Sequence, residues 1–140
     1  MELTENEKGY IAGIIDGEGT ITLTRLSANE YRAPVVSVTS TTIEILEYLQ
    51  ERCGGSISSQ SKKEVQHKDS WCWKIIRNKA IELLEQCSDY LLVPEKKYRA
   101  DLIINQYKAV TPRNGRYNEE RRKLKEKFEE DFFNFVPTKF

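Results

Sequence analysis

Two carboxylates separated by a single glycine, Asp16 and Glu18, are the residues whose types and spacing most clearly suggest chemistry. They close the segment GYIAGIIDGEG, and the residues before it, Thr4-Glu5-Asn6-Glu7, form a capping-box pattern that predicts a helix beginning near Thr4. Carboxylates at the C-terminus of a helix oppose its dipole, at a cost of up to about 1 kcal/mol each. A divalent cation would supply the missing positive charge, and Mg²⁺ prefers such oxygen ligands. The segment therefore predicts a magnesium site.

Glycines recur every four residues along the same predicted helix, at Gly9, Gly13 and Gly17. They form one stripe without side chains, although each glycine costs about 1 kcal/mol relative to alanine inside a helix. Such a stripe is useful where another backbone packs closely against it. The apolar run Tyr10–Ile15 is too short to span a bilayer. We therefore expect another helix to pack closely against this one.

Composition indicates an ordinary globular protein that forms one domain over residues 1–140. The net charge is zero, and 39% of the residues are hydrophobic and 31% charged. The three cysteines lack CxxC spacing and there is one histidine, which favours neither a disulfide framework nor a zinc site. Neither a signal peptide nor a membrane segment is evident. We expect an intracellular protein, cytoplasmic or organellar, that is not secreted and does not bind membranes.

The remaining sequence alternates between hairpins and helices. Strand patterns occur at residues 20–24, 36–39, 56–61 and 71–75, and helical patterns at residues 43–53, 79–87 and 95–110 and from Asn118 onward. Trp71 and Trp73 could stack on bases, but their strand spacing favours core packing. Leu124, Phe128, Phe132 and Phe135 predict the apolar stripe of the last helix.

Basic residues concentrate between positions 55 and 79, where six Lys/Arg face two acids. Lys62, Lys63 and Lys68 fall at the predicted tip of the second hairpin, where they would meet phosphate. A second basic group, Lys96 and Lys97, opens the helix after Pro94, and it is either a phosphate site or a solvated turn.

The residues 11–19, IAGIIDGEG, resemble the nine-residue motif that names the LAGLIDADG homing endonucleases. The αββαββα order is similar to the order for which that family is known. The resemblance implies an α+β fold in which a saddle-shaped antiparallel sheet carries helices on one face. A single motif implies the homodimeric branch, with an interface that includes Gly9, Ala12, Gly13 and Asp16. From its position alone, Asp16 could also end the helix or hold a neighbouring segment.

The resemblance also implies catalytic roles. Glu18 matches the metal-binding acid, Gly17 the carbonyl beside it, and Lys96 the basic residue of the water network, with Lys97 as the alternative. Two positions depart from the family pattern: Ser40 stands where a glutamine is frequent, and Glu44 where some members have arginine. Ser40 would be a weaker water-positioning residue.

We therefore expect a Mg²⁺-dependent, intron-encoded endonuclease that cuts double-stranded DNA at a pseudo-palindromic site. Polar strand faces would read the major groove and basic residues would contact phosphate; the candidate residues for DNA are Thr22, Thr24, Arg25, Arg32, Ser37, Thr39, Ser58, Gln60, Lys62, Lys63, Lys68, Lys74 and Lys97. One alternative is an inactive relative that binds nucleic acid, such as an intron maturase that binds RNA or a DNA-binding regulator. Another is a small α+β domain without catalysis. The presence of Glu18 favours the enzyme.

Overall fold

The computed structural model of the protein describes residues 1–60 and 69–136. The main elements follow in this order along the chain: α1 (Glu5–Glu18), β1 (Gly19–Thr24), β2 (Ala33–Ser40), α2 (Ile43–Cys53), β3 (Ser56–Gln60), β4 (Ser70–Ile76), α3 (Arg77–Cys87), α4 (Pro94–Leu102) and α5 (Glu119–Phe133). A 3₁₀ turn, Ser88–Tyr90, precedes α4, and a π-helical segment, Ile103–Tyr107, follows it and leads into a 3₁₀ turn, Lys108–Val110.

The four strands form one antiparallel sheet in the order β1-β2-β4-β3. Its apolar face, represented by Ile21, Val36 and Trp73, is buried in a core that also includes side chains of all five helices. The opposite face carries the polar positions of the strands. The predicted α+β class, the αββαββα order and the placement of the helices on one face are confirmed.

Local sequence signals account for the entry into α1. The hydroxyl of Thr4 accepts a hydrogen bond from the Glu7 backbone N–H at 3.2 Å, and the Glu7 carboxylate accepts one from the Thr4 N–H at 2.9 Å. This reciprocal arrangement satisfies two backbone donors that a helix start otherwise leaves unpaired. The predicted capping box is confirmed.

The two tryptophans of β4 lie toward the helices. Trp73 is fully buried, and its ring N–H donates to the Gly54 carbonyl at 2.8 Å, while Trp71 is partly buried against the same core. Core packing, the favoured interpretation for both residues, is confirmed.

The last part of the chain differs from the sequence prediction in two ways. The helix expected over residues 95–110 begins at Pro94 and is α-helical only as far as Leu102. The π-helical segment after it changes which side of the helix the following side chains occupy. In α5, Phe128 and Phe132 are buried as predicted, but Leu124 is 52% exposed and Lys125 only 1% exposed. In this orientation of α5 the Lys125 ammonium lies over the Tyr107 ring, 4.1 Å from its centroid.

No helix among the described residues is long and apolar enough to cross a membrane.

Candidate active site

The candidate site begins where α1 meets the sheet, because β1 starts at Gly19 without an intervening loop. A Cβ at Gly19 would lie 2.8 Å from the Ile15 Cα and 3.0 Å from the Ile15 carbonyl oxygen, so a larger residue would push the strand off the helix. The glycine allows the direct transition from helix to strand. Glu18 is thereby exposed at the junction between the end of α1 and the sheet.

Asp16 and Lys96 join the end of α1 to the start of α4 through reciprocal contacts. The Asp16 carboxylate accepts hydrogen bonds from the backbone N–H groups of Leu92 (2.9 Å) and Val93 (3.1 Å), and Val93 is the N-cap of α4. The Lys96 ammonium donates to the carbonyls of Ile15 (2.8 Å) and Asp16 (2.7 Å) at the C-terminus of α1. Each charge therefore lies at the helix end whose dipole it stabilises.

These contacts distinguish Lys96 from Lys97. Lys96 contacts α1, whereas the Lys97 ammonium lies 3.4 Å from the Asp101 carboxylate and 3.9 Å from that of Asp89. Lys96 is therefore the lysine that the fold brings to the motif. Asp16 directs both carboxylate oxygens at backbone N–H groups of its own chain, as expected for a residue that holds a neighbouring segment, while its place at a dimer interface stays a prediction.

Glu18 has no such compensation. Its side chain is exposed, the last turn of α1 contains no basic residue, and among the described residues Glu18 forms no salt bridge. Residues 1–60 and 69–136 contain no group of three or more His, Cys, Asp or Glu side chains that could hold a metal. One chain offers the Glu18 carboxylate and the Gly17 carbonyl. This donor set fits Mg²⁺, which takes one or two carboxylates and fills its other positions with water and phosphate oxygens.

Thr39 and Ser40 extend β2 beyond Val38, the partner of Gly19, and α1 contacts this strand. The Ser40 hydroxyl accepts a hydrogen bond from the Thr42 backbone N–H at 3.0 Å, and Ser40 pairs with Trp71 on the side of the sheet that faces the helices. It therefore helps to begin α2. Thr39, paired with Cys72, belongs to the open face.

The glycine stripe lies on the exposed side of α1. Gly13 and Gly17 have no atom within 4 Å of the position of an added Cβ, and the nearest atom at Gly9 is a Tyr90 ring carbon at 4.0 Å. Ala12 is fully buried in the core of its own chain, and the structure corrects its assignment to the interface. Two exposed apolar side chains lie near the stripe, Tyr10 (54% exposed) and Leu92 (85% exposed).

The open face of the sheet collects most of the candidate residues for DNA. Cross-strand pairs project to the same side, and Thr20, Ser37, Lys74 and Ser56 form one row across all four strands. Thr22 and Thr24 on β1, Thr39 on β2, and Ser58 and Gln60 on β3 share this face by alternation. The predicted residues therefore share one face of the sheet, which also carries the apolar side chains of Val35, Cys72 and Ile76.

The basic candidate residues for DNA differ in their exposure and in their contacts. Arg25 and Lys74 are exposed, but the Arg32 guanidinium lies 3.2 Å from the Glu129 carboxylate and 5.4 Å from the centroid of the Phe133 ring, which ties it to α5. Lys62, Lys63 and Lys68 lie outside the described residues.

Arg99 contributes to the site indirectly, and sequence reasoning missed it. Its guanidinium donates to the Ile21 carbonyl of β1 at 2.9 Å and lies 5.0 Å from the centroid of the Phe132 ring. It also pairs with Glu95 at 3.2 Å. Arg99 thereby fixes α4, and with it Lys96, against the strand that begins next to Glu18. The only signal for this role in the sequence is the four-residue spacing from Glu95 to Arg99.

Known structures share this fold. The homing endonuclease I-CvuI, solved with its target in the presence of Ca, is 17% identical with a TM-score of 0.71, over 96% of this chain and 84% of that chain. The archaeal intron-encoded homing endonuclease I-Vdi141I, complexed with DNA, is 18% identical with a TM-score of 0.60, over 97% and 87%. The LAGLIDADG homing endonuclease I-GzeII, in complex with a DNA target, is 16% identical with a TM-score of 0.62, over 94% and 50%.

No protein-family model matches the chain, and no curated protein matches it in sequence. The structural matches show that this chain has the LAGLIDADG homing endonuclease fold. The fold implied by residues 11–19 is therefore confirmed.

Proposed function

We propose that this protein is a Mg²⁺-dependent, site-specific endonuclease that cuts double-stranded DNA, and that it acts as a homodimer on a pseudo-palindromic site. The observation that carries the proposal is the exposed, uncompensated Glu18 at the junction of α1 with the open polar sheet face. Its setting in the LAGLIDADG fold, with structural neighbours in complex with DNA, supports a phosphodiester as the target. By the same resemblance, we infer an intron-encoded protein that works inside the cell.

Glu18 and the Gly17 carbonyl would hold the cation, which when bound supplies an activated water and neutralises charge on the phosphate. Lys96 fixes the end of α1 through two carbonyls, so that Gly17 and Glu18 keep a defined position. Its ammonium also places a positive charge beside the phosphate. The Ser40 hydroxyl accepts from the Thr42 N–H and keeps its own proton to orient a water.

A second copy would complete the site. Open space at Gly13 and Gly17 and the exposed side chains of Tyr10 and Leu92 support close packing of two α1 helices. The coverage of about half of I-GzeII supports the pairing of two such units. Two Glu18 carboxylates would then approach each other, and a cation between them would remove their repulsion. Two-fold symmetry of the protein requires a site with matching half-sites.

Base recognition would come from the open sheet face, since a two-stranded or larger sheet surface fits the major groove. Gln60 projects from this face on the edge strand β3 and has the donor and acceptor pair that suits adenine. Lys62, Lys63 and Lys68 are proposed phosphate contacts.

A cleavage assay on randomised duplex libraries, with and without Mg²⁺, tests this function. Wild-type protein should cut a subset of sequences only when the cation is present. Glu18→Gln should reduce cleavage by several orders of magnitude while DNA affinity stays the same or rises, because a charge that repels phosphate is gone. Glu85→Gln, which removes an exposed carboxylate from α3, is the matched control and should leave cleavage unchanged.

Wild-type activity in Glu18→Gln would contradict the assignment. Tight, selective binding of DNA or RNA by the wild type without any cleavage would instead identify the inactive nucleic-acid-binding alternative.

A further inference from the structure

An open groove of about 750 Å³ lies at the end of the sheet far from Glu18. The connection between β1 and β2 forms one wall, and the segment from Tyr107 to Glu126 forms the other. The Tyr31 and Tyr117 rings meet across the two walls, with centroids 4.7 Å apart. The Tyr31 hydroxyl also donates to the Glu126 carboxylate at 3.4 Å. These contacts between separate parts of the chain therefore hold the two walls of the groove together.

Positive charge dominates the lining of the groove, although the whole chain has a net charge of zero. Its basic side chains outnumber the acidic ones, Glu30 and Glu126, and are Arg25, Arg32, Arg77, Arg113, Arg122 and Lys125. Arg77 and Arg32 are paired with Glu30 and Glu129. Arg25, Arg113 and Arg122 are exposed and form no salt bridge with any residue that the structure describes. The groove thus presents three guanidinium groups that can take anionic ligands.

The strand geometry sets the distance between this groove and the candidate active site. β1 begins at Gly19, next to Glu18, and ends at Thr24, next to Arg25. Glu18 and Arg25 are seven residue steps apart, so at about 3.3 Å per step Arg25 lies about 23 Å from Glu18 along the sheet. Phosphates of one DNA strand recur about every 3.4 Å along the helix axis. A duplex whose groove follows the strands would thus bring the phosphates about seven positions from the cut to Arg25, Arg113 and Arg122.

We propose that this groove binds the phosphodiester backbone of duplex DNA about seven nucleotides from the cleaved bond and positions the duplex without reading its sequence. The inference rests on the proposed endonuclease function. Guanidinium groups suit phosphate because they donate two parallel hydrogen bonds. The groove is open along its length, which suits a continuous backbone better than a small enclosed anion.

The double variant Arg113→Gln/Arg122→Gln tests the inference in the intact protein. Both residues lie on the surface, and Glu18, Lys96 and the open sheet face are unchanged. Each lost phosphate contact should reduce the salt slope by about 0.9, and affinity at 0.15 M salt by about 5-fold. The double variant should therefore bind specific and non-specific duplexes alike about 30-fold more weakly, while cleavage of bound DNA keeps its rate.

The matched control is Arg116→Gln/Lys123→Gln, which removes the same charge from the same segment outside the groove. The control should lose little affinity. Shortening the duplex to fewer than about seven phosphates from the cut should weaken wild-type and control binding but not that of the Arg113/Arg122 variant.

Equal affinities of the double variant and the control would overturn the groove inference while leaving the endonuclease proposal intact if the wild type still cuts DNA. A wild type that neither binds nor cuts duplex DNA would overturn both. Inorganic phosphate that competes with DNA at constant ionic strength in the wild type, but not in the double variant, would identify a small-anion site and overturn the backbone assignment.

Discussion

Lys125→Met should raise the free energy of unfolding near neutral pH, because Lys125 is a buried cation of α5 without a close carboxylate salt bridge among the described residues. Its ammonium donates to the Thr111 hydroxyl at 2.6 Å and lies 4.1 Å from the centroid of the Tyr107 ring. Burial lowers the pKa of Lys125 from 10.5 to about 8, and the Glu129 carboxylate only partly opposes this. Burial of the charged lysine therefore lowers the free energy of unfolding of the native protein.

The size of this disadvantage follows from the pKa. Each tenfold change in proton affinity is worth about 1.36 kcal/mol, so a decrease from 10.5 to about 8 corresponds to about 3 kcal/mol. The contact of the cation with the Tyr107 ring offsets about 1 to 2 kcal/mol of this cost. Methionine has a similar length, and Thr111 keeps a partner because its hydroxyl also donates to the Tyr107 carbonyl at 2.7 Å. We expect Lys125→Met to be more stable by about 1 to 3 kcal/mol at pH 7.

The sign of the pH dependence is fixed by the direction of the shift. Below pH 8 the lysine is charged in both states, and the full penalty of its burial is present. As the pH rises from 8 to 10.5, the native state loses its proton before the unfolded state does, so that the penalty disappears. The stability advantage of Lys125→Met should therefore be largest below pH 8 and shrink toward pH 10.

Two buried cysteines act in the opposite direction over part of this range. Burial raises the pKa of Cys53 to about 11 and that of Cys87 to about 12, so the unfolded chain loses these protons first and both proteins lose stability above about pH 9. The cysteines are unchanged in the variant. The difference in stability between wild type and variant at each pH therefore isolates Lys125.

Urea unfolding of both proteins between pH 6 and 10, without DNA, measures this difference. Lys127→Met removes an exposed lysine two positions away, paired with Asp131 at 3.2 Å, and should change stability by less than about 0.5 kcal/mol at any pH. A difference between wild type and Lys125→Met that is flat with pH, or a variant that is less stable at pH 7, would refute the reasoning.

Two further substitutions probe the end of α1. Asp16→Asn should lower the free energy of unfolding by about 1 to 2 kcal/mol in urea, because the charge that holds the N–H groups of Leu92 and Val93 is lost; unchanged stability would argue against this role. Gly13→Leu should keep the helix content measured by circular dichroism, since nothing lies within 4 Å of the added Cβ, but should yield monomers in sedimentation. A wild type that sediments as a monomer at micromolar concentration with DNA present would contradict the dimer.

Local patterns predicted the elements whose cause is itself local. The capping box at Thr4, the alternation in the strands and the asparagine cap at Asn118 each act within a few residues, and the structure has all three. The two glycines that follow α2, Gly54 and Gly55, both adopt positive φ and end the helix. The nine residues from Ile11 to Gly19 indicated the whole fold in a different way, through their resemblance to the motif of a known family.

Contacts between distant segments could not be predicted from local sequence patterns. Asp16 appeared uncompensated because its partners, Leu92 and Val93, lie more than seventy residues further along the chain. Leu124 was assigned to the apolar stripe because periodicity assigns faces by apolar residues, whereas the ring that contacts the buried Lys125, that of Tyr107, comes from another segment. Ala12 was placed at an interface because sequence spacing does not show which side of a helix faces its own core.

The charges at the end of α1 now fall into two groups with different roles. Asp16 of α1 accepts hydrogen bonds at the start of α4, and Lys96 of α4 donates to carbonyls at the end of α1. The two charges sum to zero, so these contacts define the shape of the site without a ligand. Glu18 remains as one exposed negative charge beside a negative helix C-terminus. In the proposed dimer this charge is doubled at the contact between two helices, which opposes assembly until a cation binds there. Cation binding and dimerisation should then favour each other by the same factor, because a coupling free energy between two binding events is reciprocal.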